Sequence, residues 1–208
     1  WTTHAGNPGI DAVAKPCPHP WDATNSFAML NWCSQNDIHL VVVGPEQPLA
    51  DGITDIFEDK GFLVFGPTKA GSQLEADKSF AKELMREAAI PTAESRTFQS
   101  ANAALRWALR SFEPDLFNLV EEGDASFEPM LWWLHGSDDR GEKPMPPLTE
   151  AVSKLLASRD DPMVIKAAGL AAGKGVIVCR TALQAVQAIE CIMVNRQFGH
   201  AGDRVIVE

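Results

Sequence analysis

Residues 164–178 read VIKAAGLAAGKGVIV, and this stretch decides the fold because it predicts two strands joined by a glycine-rich turn. Its flanks, MVIKA at 163–167 and VIVC at 176–179, are short apolar runs rich in β-branched residues, which is typical of buried strands. The turn between them contains Gly169, Gly173 and Gly175. Glycine adopts positive φ angles without strain and lets backbone amides approach an anion closely. The pattern therefore predicts a strand–loop–strand hairpin that can bind an anion.

Two lysines give this hairpin a chemical character. Lys174 places a positive charge at the turn, and Lys166 lies inside the first strand, where an unpaired ammonium group would be costly. That cost predicts an anionic partner at a fixed place, and a glycine-rich hairpin can cover phosphate groups as a lid. The alternative is an ordinary glycine hairpin with Lys174 in solvent. A Walker A loop is excluded, because Ala168 stands where that motif needs glycine and Gly175 where it needs Ser or Thr.

The amino-terminal third predicts a βαβ unit. IHLVVV at 38–43 and FLVF at 62–65 are buried-strand patterns that each end in Gly-Pro, and residues 49–60 between them have helical spacing of apolar side chains. Open α/β sheets bind ligands at the carboxyl ends of their strands. The loop of Gly44, Pro45 and Glu46 is therefore a candidate substrate-binding segment. A loop carboxylate without a ligand explains Glu46 equally well.

A long helix is predicted over residues 70–89, because Pro91 follows its end. On the helical projection Lys78 lies about 40° from Leu74 and shares the apolar face. Lys78 either extends its ammonium group past the edge of that face or points into a ligand cleft. Other helices are predicted over 27–36, 102–109 and 181–195, and a last strand over 204–208.

Residues 111–160 differ in character from the rest of the chain. They are rich in Pro, Asp and Glu, yet they contain Leu131-Trp132-Trp133-Leu134, and Ser-Phe-Glu-Pro occurs twice, at Ser111 and at Ser126. About fifty residues are far more than an ordinary connection needs. We interpret the segment as an insertion that projects from its domain, has one helix over 148–158 and carries no catalytic residue.

Composition excludes several classes of function. The 208 residues carry a formal charge of −10, and such an acidic surface repels nucleic-acid backbones and anionic lipids, so neither is expected as a partner. The four cysteines are scattered and none forms a C-x-x-C pair, which is typical of reduced thiols and predicts a cytoplasmic location. No apolar run approaches the roughly 20 residues of a membrane span.

Taken together, these segments resemble the glycinamide ribonucleotide synthetase family of the ATP-grasp superfamily. The matching stretches are VVVGPEQPLADGI from Val41, VFGPTKAGSQLEADKSFAKELM from Val64, IPTA from Ile90, VIKAAGLAAGKGVIV from Val164 and FGHAGDRVIVE from Phe198. HAGNPGI resembles the family's proline-glycine-asparagine loop, with His4 in the place of the usual proline. Order and spacing agree outside residues 111–160, and GLAAGKGV after VIKA is specific to this family within the superfamily.

The resemblance implies an α/β architecture. A partial Rossmann-like domain over residues 1–67 would precede the first part of an ATP-grasp fold over residues 68–208, with the insertion at about 111–160. The family's opening strand–turn segment and the second half of its ATP-grasp domain have no counterpart here, so we expect a fragment. The missing half carries the family's metal ligands, and the ligands of Mg²⁺ or Mn²⁺ are therefore expected outside this chain.

The resemblance also implies a reaction. ATP would phosphorylate the carboxylate of glycine, and the amine of phosphoribosylamine would attack the glycyl phosphate to give glycinamide ribonucleotide in purine biosynthesis. Lys78 and Lys166 match the lysines that hold ATP phosphates, and Glu208 matches the acidic residue that opens the adenine-binding linker. The phosphate-covering loop is matched by Gly169, Gly173, Lys174 and Gly175. Two alternatives remain open: another ATP-grasp carboxylate–amine ligase or carboxylase, and a truncated, inactive fragment that binds nucleotide.

Overall fold

The computed structural model describes residues 1–4, 6–136 and 143–208. It divides into two compact units, Trp1–Ala76 and Asp77–Glu208. Residues 137–142, which belong to the predicted insertion, lie outside the described part of the chain. None of the helices in the described part is long and apolar enough to cross a membrane.

The first unit is built on two parallel strands, as the βαβ pattern predicts. Their predicted burial is wrong, because Val41 and Val64 pack on the core while the residues beside them, Leu40, Val42, Leu63 and Phe65, are exposed. Strand β1 (Leu40–Val42) pairs with β2 (Leu63–Phe65), and Leu40 lies opposite Leu63. Parallel strands need a crossover connection, which helices supply here. The helices of the unit are α1 (Pro8–Asp11), α2 (Phe27–Gln35), α3 (Glu46–Asp51), α4 (Ile53–Glu58) and α5 (Lys69–Ala76). The helix predicted over 27–36 is confirmed as α2.

The single helix predicted over 49–60 is wrong, because the chain forms two helices that meet at Gly52. Gly52 has φ +97°, a left-handed conformation that glycine adopts without strain, and its N–H bonds back to the carbonyl groups of Pro48 and Leu49. The apolar side chains nevertheless keep their predicted helical spacing across Gly52. Leu49, Ile53 and Phe57 all face the core of the first unit.

The second unit contains a four-stranded antiparallel sheet. Its strands are β3 (Arg96–Phe98), β4 (Met163–Ala167), β5 (Val176–Cys179) and β6 (Val205–Val207), in the order β3-β6-β4-β5. The predicted glycine hairpin is confirmed, with Lys166 opposite Val176, and so is the last strand. Parallel and antiparallel strands form separate sheets, as the two sequence patterns predict. Strand β3 is not part of the prediction.

Five helices of the second unit pack with this sheet around one core. They are α7 (Ala101–Leu109), α8 (Glu113–Glu121), α9 (Glu128–His135), α10 (Glu150–Ala157) and α11 (Ala182–Ile189), and the chain continues from α11 as a π-helical turn at Glu190–Val194. Helices predicted over 102–109, 148–158 and 181–195 are thereby confirmed. Thr181 caps α11, since its side chain accepts a hydrogen bond from the amide of Gln184.

The interpretation of residues 111–160 as a projecting insertion is wrong. Phe112, Leu116, Trp133 and Leu156 are buried in the same core as the inward-facing residues of the sheet. The acidic and proline residues that make the segment look like a loop include the first turns of α8 and α9, where proline and carboxylates are favourable. The segment therefore supplies much of the core.

The two Ser-Phe-Glu-Pro sequences form the same local structure. In each, the Phe ends a 3₁₀ turn, at Arg110–Phe112 and at Ala125–Phe127, and the Glu and Pro begin the helix that follows. Both phenylalanines are buried. The repeat therefore marks two helix starts that are anchored in the core by an aromatic ring.

The long helix predicted over 70–89 is also wrong, because the chain breaks at Asp77 into α5 and α6 (Lys78–Glu87). Asp77 has extended backbone angles, φ −131° and ψ 101°, and its carboxylate accepts hydrogen bonds from the amides of Ser79 and Phe80. An aspartate in this role is a helix N-cap. Leu74 and Lys78 consequently do not share a helix face.

Truncation of Phe112 tests whether the segment belongs to the core. Phe112→Ala should lower the free energy of unfolding by about 3–5 kcal/mol, because it leaves a large cavity in a fully buried site. Phe117→Ala, in the same segment but 45% exposed, is the matched control and should cost about 1 kcal/mol or less. Urea unfolding followed by circular dichroism measures both. Equal, small losses for the two variants would contradict the assignment.

Candidate functional site

The face of the sheet opposite the core carries a charged pair. Ile165 and Ala167 point into the core, so Lys166 between them points to the other face. Glu208 forms two backbone hydrogen bonds with Val164, of 2.7 and 3.0 Å, which puts its side chain on the same face as Lys166. Lys166 Nζ lies 2.5 Å from Glu208 Oε2. The anionic partner that the position of Lys166 predicts is thus found within the protein.

A second lysine completes the pairing. Lys82 Nζ, from α6, lies 2.6 Å from Glu208 Oε1, and it also donates to Thr92 Oγ1 at 2.7 Å and to the carbonyl of Ala93 at 3.2 Å. Lys82 is not among the site residues predicted from the sequence. The available signal is its spacing of four residues from Lys78, which puts the two lysines on one side of a helix.

Lys78 holds the start of the glycine-rich turn. Its Nζ donates to the carbonyl of Gly169 at 3.0 Å, and its backbone N–H donates to the carbonyl of Ala168 at 2.8 Å. The interpretation that Lys78 extends past an apolar helix face is not supported, because Leu74, which was to define that face, belongs to another helix. Lys78, Lys82 and Lys166 therefore all contact the turn or the strands that support it.

The glycines of the turn have different roles. A Cβ atom on Gly169 would lie 2.8 Å from Ala201 Cα, and one on Gly175 would lie 2.6 Å from Ala171 Cβ, so both positions are too crowded for a side chain. Gly173 has open space around it and φ +74°, and it follows Ala172 at φ +47°. Lys174 comes next, exposed at the tip. Close packing thus fixes the ends of the turn, while the tip presents backbone and one ammonium group to solvent.

The charges of this cluster favour an anion. Burial alone would raise the pKa of Glu208, but hydrogen bonds from Lys166 and Lys82, together with their charges, hold it below its ordinary range. Glu208 is therefore ionised at neutral pH, and its single negative charge is shared by the two ammonium groups of Lys82 and Lys166. The excess positive charge sits beside a turn rich in backbone amides, which is a favourable place for phosphate groups. Among the described residues no group of three or more His, Cys, Asp or Glu side chains could hold a metal ion.

The remaining predicted residues lie in the first unit. Gly44, Pro45 and Glu46 follow β1 and are exposed, and Glu46 is the first residue of α3. Gly44 and Pro45 line a cavity of about 520 Å³ whose walls include Trp32, Met29 and Val43. The lysine cluster consists of residues of the second unit alone.

Comparison with known proteins places these features in a family. A model of the phosphoribosylglycinamide synthetase N domain matches residues 2–75, and a model of the ATP-grasp (A) domain of the same enzyme matches residues 146–208. The chain is similar to phosphoribosylamine–glycine ligase of Rhodopirellula baltica, with 36% identity over 90% of this chain and 33% of the relative. The ligase of a Nostoc species is 36% identical over 98% of this chain and 36% of the relative. The chain thus spans about a third of the length of these curated relatives.

A solved structure shares the fold. The chain superposes on the crystal structure of phosphoribosylamine–glycine ligase from Thermotoga maritima with a TM-score of 0.51 and 16% identity, over 97% of this chain and 35% of that one. This likeness shows the fold, and it confirms the predicted α/β architecture of a Rossmann-like part followed by the first part of an ATP-grasp fold. Since two domain models of one enzyme match in order along the chain, and relatives align over nearly all of it, the chain belongs to the phosphoribosylglycinamide synthetase family.

Proposed function

We propose that the protein is an ATP-dependent carbon–nitrogen ligase that joins glycine to 5-phosphoribosylamine, giving glycinamide ribonucleotide in purine biosynthesis. The observation that carries the proposal is a group of three lysines around β4 and the glycine-rich turn that follows it: Lys82 and Lys166 share the Glu208 carboxylate, and Lys78 binds the start of the turn. Family membership gives the proposal its substrates.

The lysine cluster suits the triphosphate of ATP. Phosphoryl transfer depends mostly on positioning and on neutralising charge, and ammonium groups held on a strand and a helix provide both. Lys166 is held by Glu208 and Lys78 by Gly169, so their ammonium groups need little reorganisation as charge develops. Gly173 and Lys174 at the tip would cover the phosphates, while Gly169 and Gly175 keep the ends of the turn in place.

The proposed reaction has two steps. A carboxylate oxygen of glycine attacks the γ-phosphorus of ATP, so that a P–O bond forms, the bond to ADP breaks and glycyl phosphate results. The amine nitrogen of phosphoribosylamine then attacks the carbonyl carbon, phosphate leaves and a proton is released. The residues described here bind and orient the phosphates in the first step. We assign the substrate-binding role in the first unit to Gly44, Pro45 and Glu46, which stay a prediction.

A divalent metal ion accompanies ATP in this proposal, and Mg²⁺ is favoured over Mn²⁺ because it commonly binds phosphate oxygens. Bound with ATP, it neutralises part of the charge of the triphosphate. The lysine cluster fits a nucleotide that brings its own metal ion, since the cluster itself offers only the Glu208 carboxylate and that group is paired with two lysines. We therefore place the protein's metal ligands outside this cluster.

The four free cysteines support a cytoplasmic location.

The direct test is product analysis with the full-length protein. ADP release from ATP should require glycine, and glycinamide ribonucleotide should form when phosphoribosylamine is present. Bicarbonate in place of glycine distinguishes a carboxylase, and d- or l-alanine distinguishes another carboxylate–amine ligase. ADP release that depends on any of these substitutes and not on glycine would overturn the proposal.

Replacement of Lys166 should impair ATP use more than replacement of Lys174. Lys166 is anchored in β4 and partly shielded from solvent, whereas Lys174 is exposed at the tip, where amides of the turn can partly replace it. Loss of a charged contact in a desolvated site costs roughly 2–5 kcal/mol, or about 30- to several-thousand-fold in rate. Lys174→Ala should fall at or below the low end of that range.

The measurement is glycine-dependent ADP release at saturating ATP, with circular dichroism to verify folding. Lys154→Ala is the control, because Lys154 is exposed and pairs with Glu150 on its own helix. A folded Lys166→Ala protein with normal turnover would remove the main physical support for an ATP site here.

Because its pKa is lowered, Glu208 should contribute to the stability of the protein at neutral pH and lose that contribution in acid. A carboxylate whose pKa is lowered by folding adds stability above its unfolded pKa of about 4.5, and this stability is lost as the pH falls through the lower folded value. Glu208→Gln should therefore be less stable than the unmodified protein at pH 7, and the difference should shrink below about pH 4.5. Urea midpoints measured from pH 7 to pH 3 test this. A difference that stays constant over that range would show that the charge of Glu208 does not contribute.

A further inference from the structure

The break between α5 and α6 frees one backbone amide for a tertiary contact. In a continuous helix the N–H of Lys78 would bond to the carbonyl of Leu74, four residues earlier. Because the helix restarts at Lys78, this N–H donates instead to the carbonyl of Ala168, at 2.8 Å. Ala168 is the first residue after β4. The restart of the helix thus connects α6 directly to the glycine-rich turn.

Asp77 makes the restart possible. Its Oδ1 accepts from the amides of Ser79 at 3.0 Å and Phe80 at 3.2 Å, and from the Ser79 hydroxyl at 2.5 Å. These contacts satisfy amides that have no partner within the first turn of a helix. Asp77 Oδ2 is left to face the rest of the second unit.

Arg204 binds Asp77 Oδ2. Its Nη2 lies 2.6 Å from Asp77 Oδ2, and its Nη1 donates to Ser79 Oγ at 2.7 Å. The backbone of Arg204 contributes too, because its carbonyl accepts from the N–H of Ala168 at 3.0 Å. The contacts form a closed ring that runs from Arg204 through Asp77 and Lys78 to Ala168 and back to Arg204. A planar guanidinium suits this ring because it offers two donors in a fixed geometry.

We propose that Arg204 is a positioning residue for the nucleotide site: its bridge to Asp77 and Ser79 fixes the first turn of α6, so that the Lys78 amide stays bonded to Ala168, the Lys78 ammonium group stays at the glycine-rich turn and the Lys82 ammonium group stays at Glu208. The inference rests on the proposed function for its effect on ATP. Arg204 touches no reacting atom in this role and acts through α6.

A role limited to stability accounts for the ring less well. Partly exposed ion pairs add little to stability, and the Arg204 side chain is 39% exposed. The contact between Arg204 and Asp77 matters more for geometry than for stability, because it joins α6 to β6 across 127 residues of the chain. Small displacements of phosphate-binding groups strongly reduce the efficiency of transfer.

Arg159 supplies a matched control. Its Nη1 lies 2.9 Å from Asp115 Oδ2, its side chain is 44% exposed, and it also donates to a backbone carbonyl, that of Ser111. Arg159→Ala therefore removes a bridge of similar geometry and exposure that does not involve the lysine cluster. Asp77→Asn is a second informative variant, because asparagine is as good an N-cap as aspartate but lacks the charge that binds Arg204.

The experiment uses the full-length protein and two measurements. Hydrogen exchange of the Lys78 amide, followed by NMR, reports the contact with Ala168 directly. Calorimetric titration with the non-hydrolysable ATP analogue AMP-PNP, in the presence of Mg²⁺, reports the nucleotide site. In Arg204→Ala, Lys78 should exchange at least about tenfold faster and the Kd for AMP-PNP should rise about tenfold or more. Asp77→Asn should shift both values in the same direction by less, and Arg204→Lys should recover part of the loss.

The outcomes separate the two claims. Arg159→Ala should leave both measurements unchanged, even if it lowers the melting temperature as much as Arg204→Ala does. If the unmodified protein does not bind the analogue, the proposed function fails, while Lys78 exchange still tests the ring. If Arg204→Ala leaves Lys78 exchange unchanged, or weakens binding no more than Arg159→Ala does, the positioning role is overturned.

Discussion

The carboxylate of Glu208 accepts a hydrogen bond from Lys166 at 2.5 Å and forms an ion pair with Lys82 at 2.6 Å, and through these two contacts it joins the sheet to α6. A partly buried ammonium group without a partner is unfavourable, and two of them close together repel each other as well. One carboxylate shared between them removes most of that cost. Two lysines against one carboxylate leave a positive excess, so the cluster is held together in the free protein and can still attract an anion.

The sheet separates this charged cluster from the apolar core. Because side chains alternate along a strand, β4 directs Ile165 and Ala167 to the core and Lys166 to the site. Strand β6 does the same, with Val205 and Val207 on the core side. A change in the core therefore reaches the lysines through the backbone of β4 and β6. The ion pairs can in turn be strong without placing a charge in the core.

Local patterns predict the local structure well. The hairpin of β4 and β5 and the βαβ unit follow from a few neighbouring residues, and the structure contains both. The break at Asp77 has a local signal in the aspartate itself, but helix spacing on both sides hides it, and its partner Arg204 is far away in sequence. Lys82 could be found only by asking which residues share a side of α6 with Lys78. Its pairing with Glu208 depends on tertiary contacts that no local pattern contains.

Residues 111–160 show why composition misleads where helices are short. Prolines and acidic residues in a run suggest a loop. Here, however, proline occupies the second position of α8 and of α9, where a backbone N–H would have no partner within the helix and its absence costs nothing. Once those residues are assigned to helix starts, Leu116, Met130 and Leu156 become buried residues of successive helices, and the core of the second unit cannot be closed without them. The face of the sheet that carries Lys166 then depends on this segment indirectly. Helix α10 of the segment packs against α11, and α11 in turn lies on the core side of β4, the strand that carries Lys166.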